Sequence, residues 1–546
     1  MESKAIRRTS MALLCASVAF SAGAADLTYT WHTVANNGDL IPGTDKTFNS
    51  YNQPAVNKHG LVVFRARSRG GQGEPEHGIY VRDMDEFGPI ATVFSRGEAV
   101  PQPNNALYNG RLAQFNEFPS VPRIDAGSDT IATRAQSQPV WSYTMDGTDT
   151  RTGTAGVYTN PLGMRTTGAS MVGDVPGFGH FQVPIPDVPA GTGFDQFPGS
   201  PAVTERNTIV FKGNFSAGGV GGTGVFYRNV VANGGVAPIE LVASSFTDIP
   251  RRKGSQGAAV KFGSTAPPSA AGKYVVFAGY DNEASPTAGG IYRARLGTKP
   301  IVLEKIVAIG DPVPGERNQT FKAFGEAVSL SSNGRTLLFW GSWGPETRTV
   351  TLSCPSEGNK AVREYCKSVT GDGLDVQVPA NQGFFVRDLQ LGTTTAIART
   401  GGEFRDFLYW NFSGRAPGMG EGEEGRDDIE ELARWRTATF GAVSGSGVPS
   451  VSAFKARTAD GEDGIYIRDA LPSKAGAVTT LLKTGMPGAT LDVETPPGAV
   501  ITSLGIERDG FRGQWLAVSV SMLTDGGSEE DAGWAGIYTA RFVGVE

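Results

Sequence analysis

Few of the residues able to do chemistry stand where chemistry would need them. The 546-residue chain has four histidines. His32 and His59 fall in or beside expected strands, and His77 and His180 in loops. His77 lies beside Glu74 and Glu76, an acid–base or metal pattern in outline, but its context favours a turn. No HExxH, paired CxxC, glycine-rich phosphate loop or GxSxG elbow is present. Ser444, in Gly441-Ala-Val-Ser-Gly-Ser-Gly447, has only a superficial likeness to a nucleophile motif. No catalytic residue is assigned. Three Asp-Gly loops are rich in oxygen ligands: Asp146-Gly-Thr-Asp149, Asp460-Gly-Glu-Asp463 and Asp525 to Asp531. Asp146, Asp149, Asp460 and Asp463 are therefore calcium candidates, although no loop has EF-hand spacing and Asp-Gly pairs are above all turn formers. No other cofactor is indicated.

Aromatic side chains offer another route to function. Trp343, Trp410, Trp435 and Trp534, with Trp141, are candidates for stacking against a sugar or a partner chain. Trp340 and Trp515 fall in expected strands and read as core. Cys354 and Cys366 are close in sequence and lack CxxC form, which points to a disulfide closing a short loop, worth roughly 3 kcal/mol in the chain-entropy model.

The elements that must position these residues are announced by a phrase of glycine, an aliphatic residue or phenylalanine, and an aromatic. It recurs at Gly78-Ile-Tyr80, Gly156-Val-Tyr158, Gly224-Val-Phe226, Gly290-Ile-Tyr292, Gly383-Phe-Phe385, Gly464-Ile-Tyr466 and Gly536-Ile-Tyr538. Seven copies at intervals of 66 to 93 residues mark a repeat architecture. Before the phrase stands a β-branched, aromatic run such as Leu61–Phe64, Thr208–Phe211, Thr336–Phe339, Val451–Phe454 or Trp515–Val518. After it comes a further strand, such as Ala91–Phe94, Ile301–Ile309, Ala396–Arg399 or Thr479–Leu482, ending in a Gly/Asp/Pro turn such as Gly310–Gly315. Four strands per unit with regular turn chemistry predict an all-β propeller of seven blades. The last unit lacks its fourth strand, and Thr28–Ala35, followed by the matching turn Gly38–Gly43, is expected to supply it and close the ring.

The unit resembles the tandem repeats of bacterial exported "choice-of-anchor" proteins, written roughly N-x-x-G-x-x-x-A-F, at Asn57-Lys-His-Gly60-Leu-Val-Val-Phe64 and Ser332-Asn-Gly334-Arg-Thr-Leu-Leu-Phe339. It departs in having Val or Leu before the Phe, a shorter Gly-to-Phe interval and no C-terminal sorting helix. The resemblance implies export and carries no general activity.

Lys4, Arg7 and Arg8, the apolar run Met11–Phe20 and an Ala-x-Ala site predict a signal peptide over 1–24, leaving a single domain over 25–546. The expected location is extracellular or periplasmic. No membrane-spanning stretch follows. Cleavage takes the net charge from −6 to about −8, which disfavours nucleic acid and anionic membranes. Insertions interrupt the rhythm at about 344–382 and 417–436. In the second, Asp427 and Glu430 form a capping-box-like start that predicts a short helix over Asp428–Trp435. The leading functional expectation is a non-catalytic exported propeller binding a protein or glycan through one face. The alternatives are a polysaccharide hydrolase or lyase with carboxylates at the channel mouth, although no repeated sialidase-type Asp box occurs, and a structural surface or matrix component.

Overall fold

The computed structural model describes residues 28–543 except 70–74, 102–111, 139–140, 146–147, 153–154, 173–178, 231–236, 251–257, 356–359, 372, 416–430, 446–449, 472–473 and 525–532. The expected signal peptide lies outside the described residues. Seven antiparallel sheets form a seven-bladed β-propeller. Blade 1 shows the plan. Its inner strand is split into Phe48–Tyr51 and Ala55–Val56, and Leu61–Ser68, His77–Asp83 and Ala91–Ser95 follow outward. The inner-strand pieces nearest the axis are Ala55–Val56, Arg123–Ile124, Ala202–Thr204, Ser269–Ala271, Ser329–Leu330, Gly441–Val443 and Phe511–Arg512. Each touches the next and the last touches the first, so the ring is closed. The closure mixes the termini as the sequence predicts: Tyr29–Asn36 pairs antiparallel with Gly533–Phe542, Thr33 opposite Tyr538.

The recurring glycine has a steric cause. A Cβ on Gly78 would lie 2.4 Å from the Phe94 carbonyl oxygen and 3.1 Å from the Tyr80 hydroxyl. On Gly290 it would lie 2.1 Å from the Val307 oxygen, and on Gly536 2.7 Å from the Tyr538 hydroxyl. The bare glycine lets the aromatic two residues on fold back over the strand while the fourth strand closes against it. The ring so placed becomes the blade's centre. Tyr80, Tyr158, Tyr292, Tyr466 and Tyr538 are all fully buried, each contributing on the order of 1.5–3 kcal/mol.

The turns between blades are held alike. A side chain just beyond the fourth strand accepts from that strand's last amides: Asp39 from Asn36 N (2.9 Å), Glu98 from Ser95 N (2.9 Å), Thr247 from Ser244 N (3.0 Å) and Asp311 from Ala308 N (2.9 Å). On the opposite face, Asn57 Oδ1 accepts from the amides of His59 and Leu61, and Gly60 takes φ +92° against the Trp515 indole. This is why Asn and Gly recur ahead of the second strands.

Additions to the plan emerge where second strands pass to third strands in blades 2 and 5, and between the two halves of the inner strand, Phe404–Asp406 and Gly441–Val443, in blade 6. Blade 2 carries the hairpin Trp141–Met145/Thr148–Thr152. In blade 5 the second and third strands lengthen to Thr336–Leu352 and Leu374–Asp388, joined through the helix Lys360–Thr370 and the Cys354–Cys366 disulfide. That helix packs on a hairpin of blade 6, Tyr409–Arg415 with Glu431–Ala438. The hairpin corrects the helix expected over Asp428–Trp435. Residues 428–430 lie outside the described residues, and 431–435 are strand, with Trp435 opposite Phe412. Cross-strand pairing with the β-prone Tyr-Trp-Asn-Phe segment outweighs a local capping signal. Among the described residues no helix is long and apolar enough to cross a membrane.

Candidate functional site: a groove between blades 7 and 1

Blade 7 departs from its siblings. In blades 1, 2, 4 and 5 a phenylalanine on or just before the inner strand meets the third-strand ring edge to face: Phe48–Tyr80 at 5.0 Å, Phe115–Tyr158 at 4.9 Å, Phe262–Tyr292 at 5.2 Å and Phe321–Phe385 at 5.0 Å. Each of these phenylalanines donates its amide back to the turn before it, Phe48 to Asp39 O and Phe321 to Asp311 O. In blade 7 the residue making that bond, to Met486 O, is Ile501. The smaller side chain leaves Tyr538 without a ring partner there. Its hydroxyl donates instead to Asp492 Oδ2 at 3.0 Å.

Asp492, 3 % exposed, is the hub of a polar network. The same oxygen accepts from Asn36 Nδ2 at 2.9 Å and from the Trp534 indole N–H at 3.3 Å. Asn36 also donates to Glu494 at 2.9 Å. Crowding shows in Asp39, whose carboxyl is raised by burial and further by Glu494 and Asp492. The network ties the end of the N-terminal strand to the last strand and sets the plane of Trp534.

Trp534 forms one wall of a cleft of about 670 Å³, a size suited to small ligands. Asn37, Asn49, Ser50, Tyr51 and Gln53 line one side, and Ser503, Ser519, Ser521 and Met522 the other. Among the described residues, Asn37 Oδ1 and the Tyr51 hydroxyl are buried here without a hydrogen-bond partner. Burial and nearby Asp39 push the Tyr51 phenol up, so it stays protonated and able to donate. Among the described lining residues Arg69 is charged, and no carboxylate, histidine or cysteine is present. Amides, hydroxyls and an oriented indole can bind a polar ligand. A second cleft of about 550 Å³ lies between blades 5 and 6. There Arg399 is paired with Glu316 at 2.7 Å and Arg468 donates to main-chain oxygens.

The other residues singled out in the sequence scatter. Trp343 corrects the expectation of a surface tryptophan. It is 4 % exposed and packs edge-on against Phe385 at 5.9 Å, because its strand continues past Trp340 without looping out. Trp340 is core, as expected. Trp410 and Trp435 sit half-buried on the blade 6 hairpin, their indole nitrogens without partners among the described residues. Trp141 starts the blade 2 hairpin. Of the calcium candidates, Asp146 lies outside the described residues and Asp149 sits in a strand. Asp460 is exposed, and Asp463 is engaged by Arg457 at 2.8 Å and Lys455 at 3.6 Å. The Asp525–Asp531 loop lies outside the described residues. No group of three or more potential metal-ligating side chains occurs among the described residues. His77 is not a turn ornament: it opens a strand, 8 % exposed, with Nε2 2.8 Å from Asn116 O. The sequence signal for the groove was Ile501 in the place of a phenylalanine. Asp492 carried no motif.

Comparison with known proteins adds little about activity. A family model described as DUF7453, a family of unknown function, matches residues 24–116. That span holds the closing strand and blade 1. No curated protein matches the sequence. Among solved structures, the chain is similar to an apo AtxE2 isopeptidase, 8% identical over 79% of this chain and 58% of that one, TM-score 0.20. It is similar to a Porphyromonas gingivalis dipeptidyl peptidase 4, 7% identical over 88% and 58%, TM-score 0.22. A GH43_12 protein from a capybara gut metagenome is 9% identical over 94% and 99%, TM-score 0.17. The chain thus spans 58% of the first two, and likenesses this weak carry no functional inference.

Proposed function

We propose that this protein is an exported, non-catalytic propeller that binds a glycan in the groove between blades 7 and 1. The observation that carries the reading is Trp534, held by Asp492 beside a wall of amides and hydroxyls that includes the unpartnered Tyr51 hydroxyl and Asn37 Oδ1. Sugars present an apolar ring face and a rim of hydroxyls, and an aromatic platform with amide and hydroxyl partners matches both. The Cys354–Cys366 disulfide supports an oxidising destination. The lining groups support binding over the hydrolase or lyase alternative.

The test is calorimetric titration of the mature chain with a panel of neutral and acidic oligosaccharides, alongside Trp534→Ala. Saturable binding of one sugar class, lost in the variant while its unfolding midpoint is kept, is expected. Binding unchanged in Trp534→Ala, or no binding across the panel, would remove the groove from consideration.

A further inference from the structure

The face opposite the insertions is closed by a segment that crosses the axis. Residues 507–512 join the two halves of blade 7's inner strand, and their contacts reach most of the ring. Asp509 O accepts from Val56 N of blade 1, and Arg508 O accepts from Ser329 Oγ of blade 5. Arg508 Nη1 donates to Pro267 O of blade 4 at 3.0 Å, and Arg512 Nη1 to Val443 O of blade 6 at 3.4 Å. From blade 2, Arg123 Nε donates to Asp509 Oδ2, while Arg512 Nη2 donates to Asp509 Oδ1.

Three guanidiniums are thereby brought together out of water. Arg123 is 0 % and Arg512 1 % exposed. Arg508 Nε bonds Glu507 Oε1 at 3.0 Å. Glu507 and Asp509 are the carboxylates in contact with them; Glu507 also lies 3.6 Å from Arg123 Nη1. Asp125, 6 % exposed, faces the cluster more remotely and accepts from Ser128 Oγ and the Arg206 amide. After these bonds, Arg123 Nη1, Arg123 Nη2 and Arg512 Nε have no hydrogen-bond acceptor among the described residues. Both guanidiniums hang on one carboxylate, so their spare donors belong to one cluster. A buried cation with unmet donors is costly, and this cluster has an excess of cation over directly contacting carboxylate.

We propose that the floor of the ring is a binding site for a small monovalent inorganic anion such as chloride, held by Arg123 Nη1 and Nη2 and Arg512 Nε. The fork of a guanidinium suits an acceptor-only ligand. Bound there, the anion ties the ring-crossing segment to blade 2 and stabilises closure without touching the groove.

The test uses the full mature chain. Its unfolding midpoint is followed in sodium chloride and in sodium gluconate of equal ionic strength, and crystals are grown in bromide. A midpoint rising with chloride along a saturating curve, on the order of several degrees, and an anomalous bromide peak within hydrogen-bond reach of Arg123 are expected. Arg123→Met should lose the chloride response. Equal midpoints in the two salts, an equal chloride response in Arg123→Met, or only water at Arg123 in the bromide crystals would each overturn the proposal. Should Arg123→Met fail to fold, the bromide density of the native chain decides.

Discussion

Blades 1 and 7 share a plan and differ at its centre. In blade 1, Phe48, Phe64 and Tyr80 form a closed aromatic cluster with ring separations of 5.0 to 6.0 Å. In blade 7, Ile501 and Asp492 take the place of the inner ring, and Tyr538 turns its hydroxyl to a carboxylate that also fixes Trp534. The same glycine-aliphatic-tyrosine phrase serves packing in one blade and site construction in the other. A repeat tolerates this because each blade needs only its neighbours for stability, so one copy can give up packing for a polar network at the seam that the two termini close.

Substitutions at matched positions break the comparison most directly. Phe48→Ala should cost about 3–5 kcal/mol, the range for a buried aromatic. Ile501→Val, at the position matched by its back-bond, should cost about 0.5–1.5 kcal/mol. Denaturant midpoints at constant slope check both, and equal losses would mean the two positions are not alternatives. Next comes Asp492→Asn. Removing the charge weakens bonds from Asn36, Trp534 and Tyr538, each worth about 1.5–3 kcal/mol when charge-assisted but partly retained by the amide. A net loss of about 2 kcal/mol and weaker binding at the groove are expected. Stability lost with binding intact would detach Trp534 from the proposed site. Ile501→Phe, which restores the sibling pattern, should collide with the Asp492–Tyr538 pair and cost about 1–3 kcal/mol. Tyr51→Phe is smaller still. It removes a buried hydroxyl with no protein partner, so stability should hold or rise by up to about 1 kcal/mol while affinity falls by roughly the factor one hydrogen bond supplies. A falling midpoint with unchanged affinity would show that the hydroxyl has a structural role.

Much of the fold was legible because its determinants are local. The Gly78-Ile79-Tyr80 phrase encodes a clash that only glycine avoids, and Asn57-x-x-Gly60 encodes a turn. The pairing of Tyr29–Asn36 with Gly533–Phe542 could be read from what the last unit lacked. The groove was less legible. Trp534 stood out as a tryptophan, but Asp492 reaches it from a loop 42 residues away in sequence, and Tyr51 is distinguished by what it fails to bond. Trp343 and the Glu431–Ala438 strand were misread for a related reason. Burial and cross-strand partners come from elsewhere in the chain, whereas tryptophan content and a capping signal are visible locally.

The seam between blades 2 and 3 sharpens the contrast from the filled side. There Phe181, Val183, Ile185, Val188, Phe194 and Phe197 pack the junction, and Arg228 lies over the Phe181 ring at 5.2 Å while donating to Thr167 O and Gly168 O. His180 sits beside this seam, 4.2 Å from the Phe181 ring centroid. Burial, and then the Arg228 charge, lower its pKa from 6.5 to about 4. The unfolded chain therefore holds more protons on this residue than the folded one between those values. His180 contributes stability fully above pH 6.5 and loses it as the pH falls toward about 4. Because the ring is half-exposed, solvent screening keeps the effect small. His180→Gln should flatten the acid limb of the stability profile in this window, measured by denaturant midpoints at each pH. A profile identical to that of the native chain would mean that His180 titrates freely and that the seam does not bury it. The groove at blades 7 and 1 should run the other way. The raised carboxyl of Asp39 gains relative stability as the pH falls through its folded value toward 3.8, so Asp39→Asn should remove that gain while leaving the His180 limb in place.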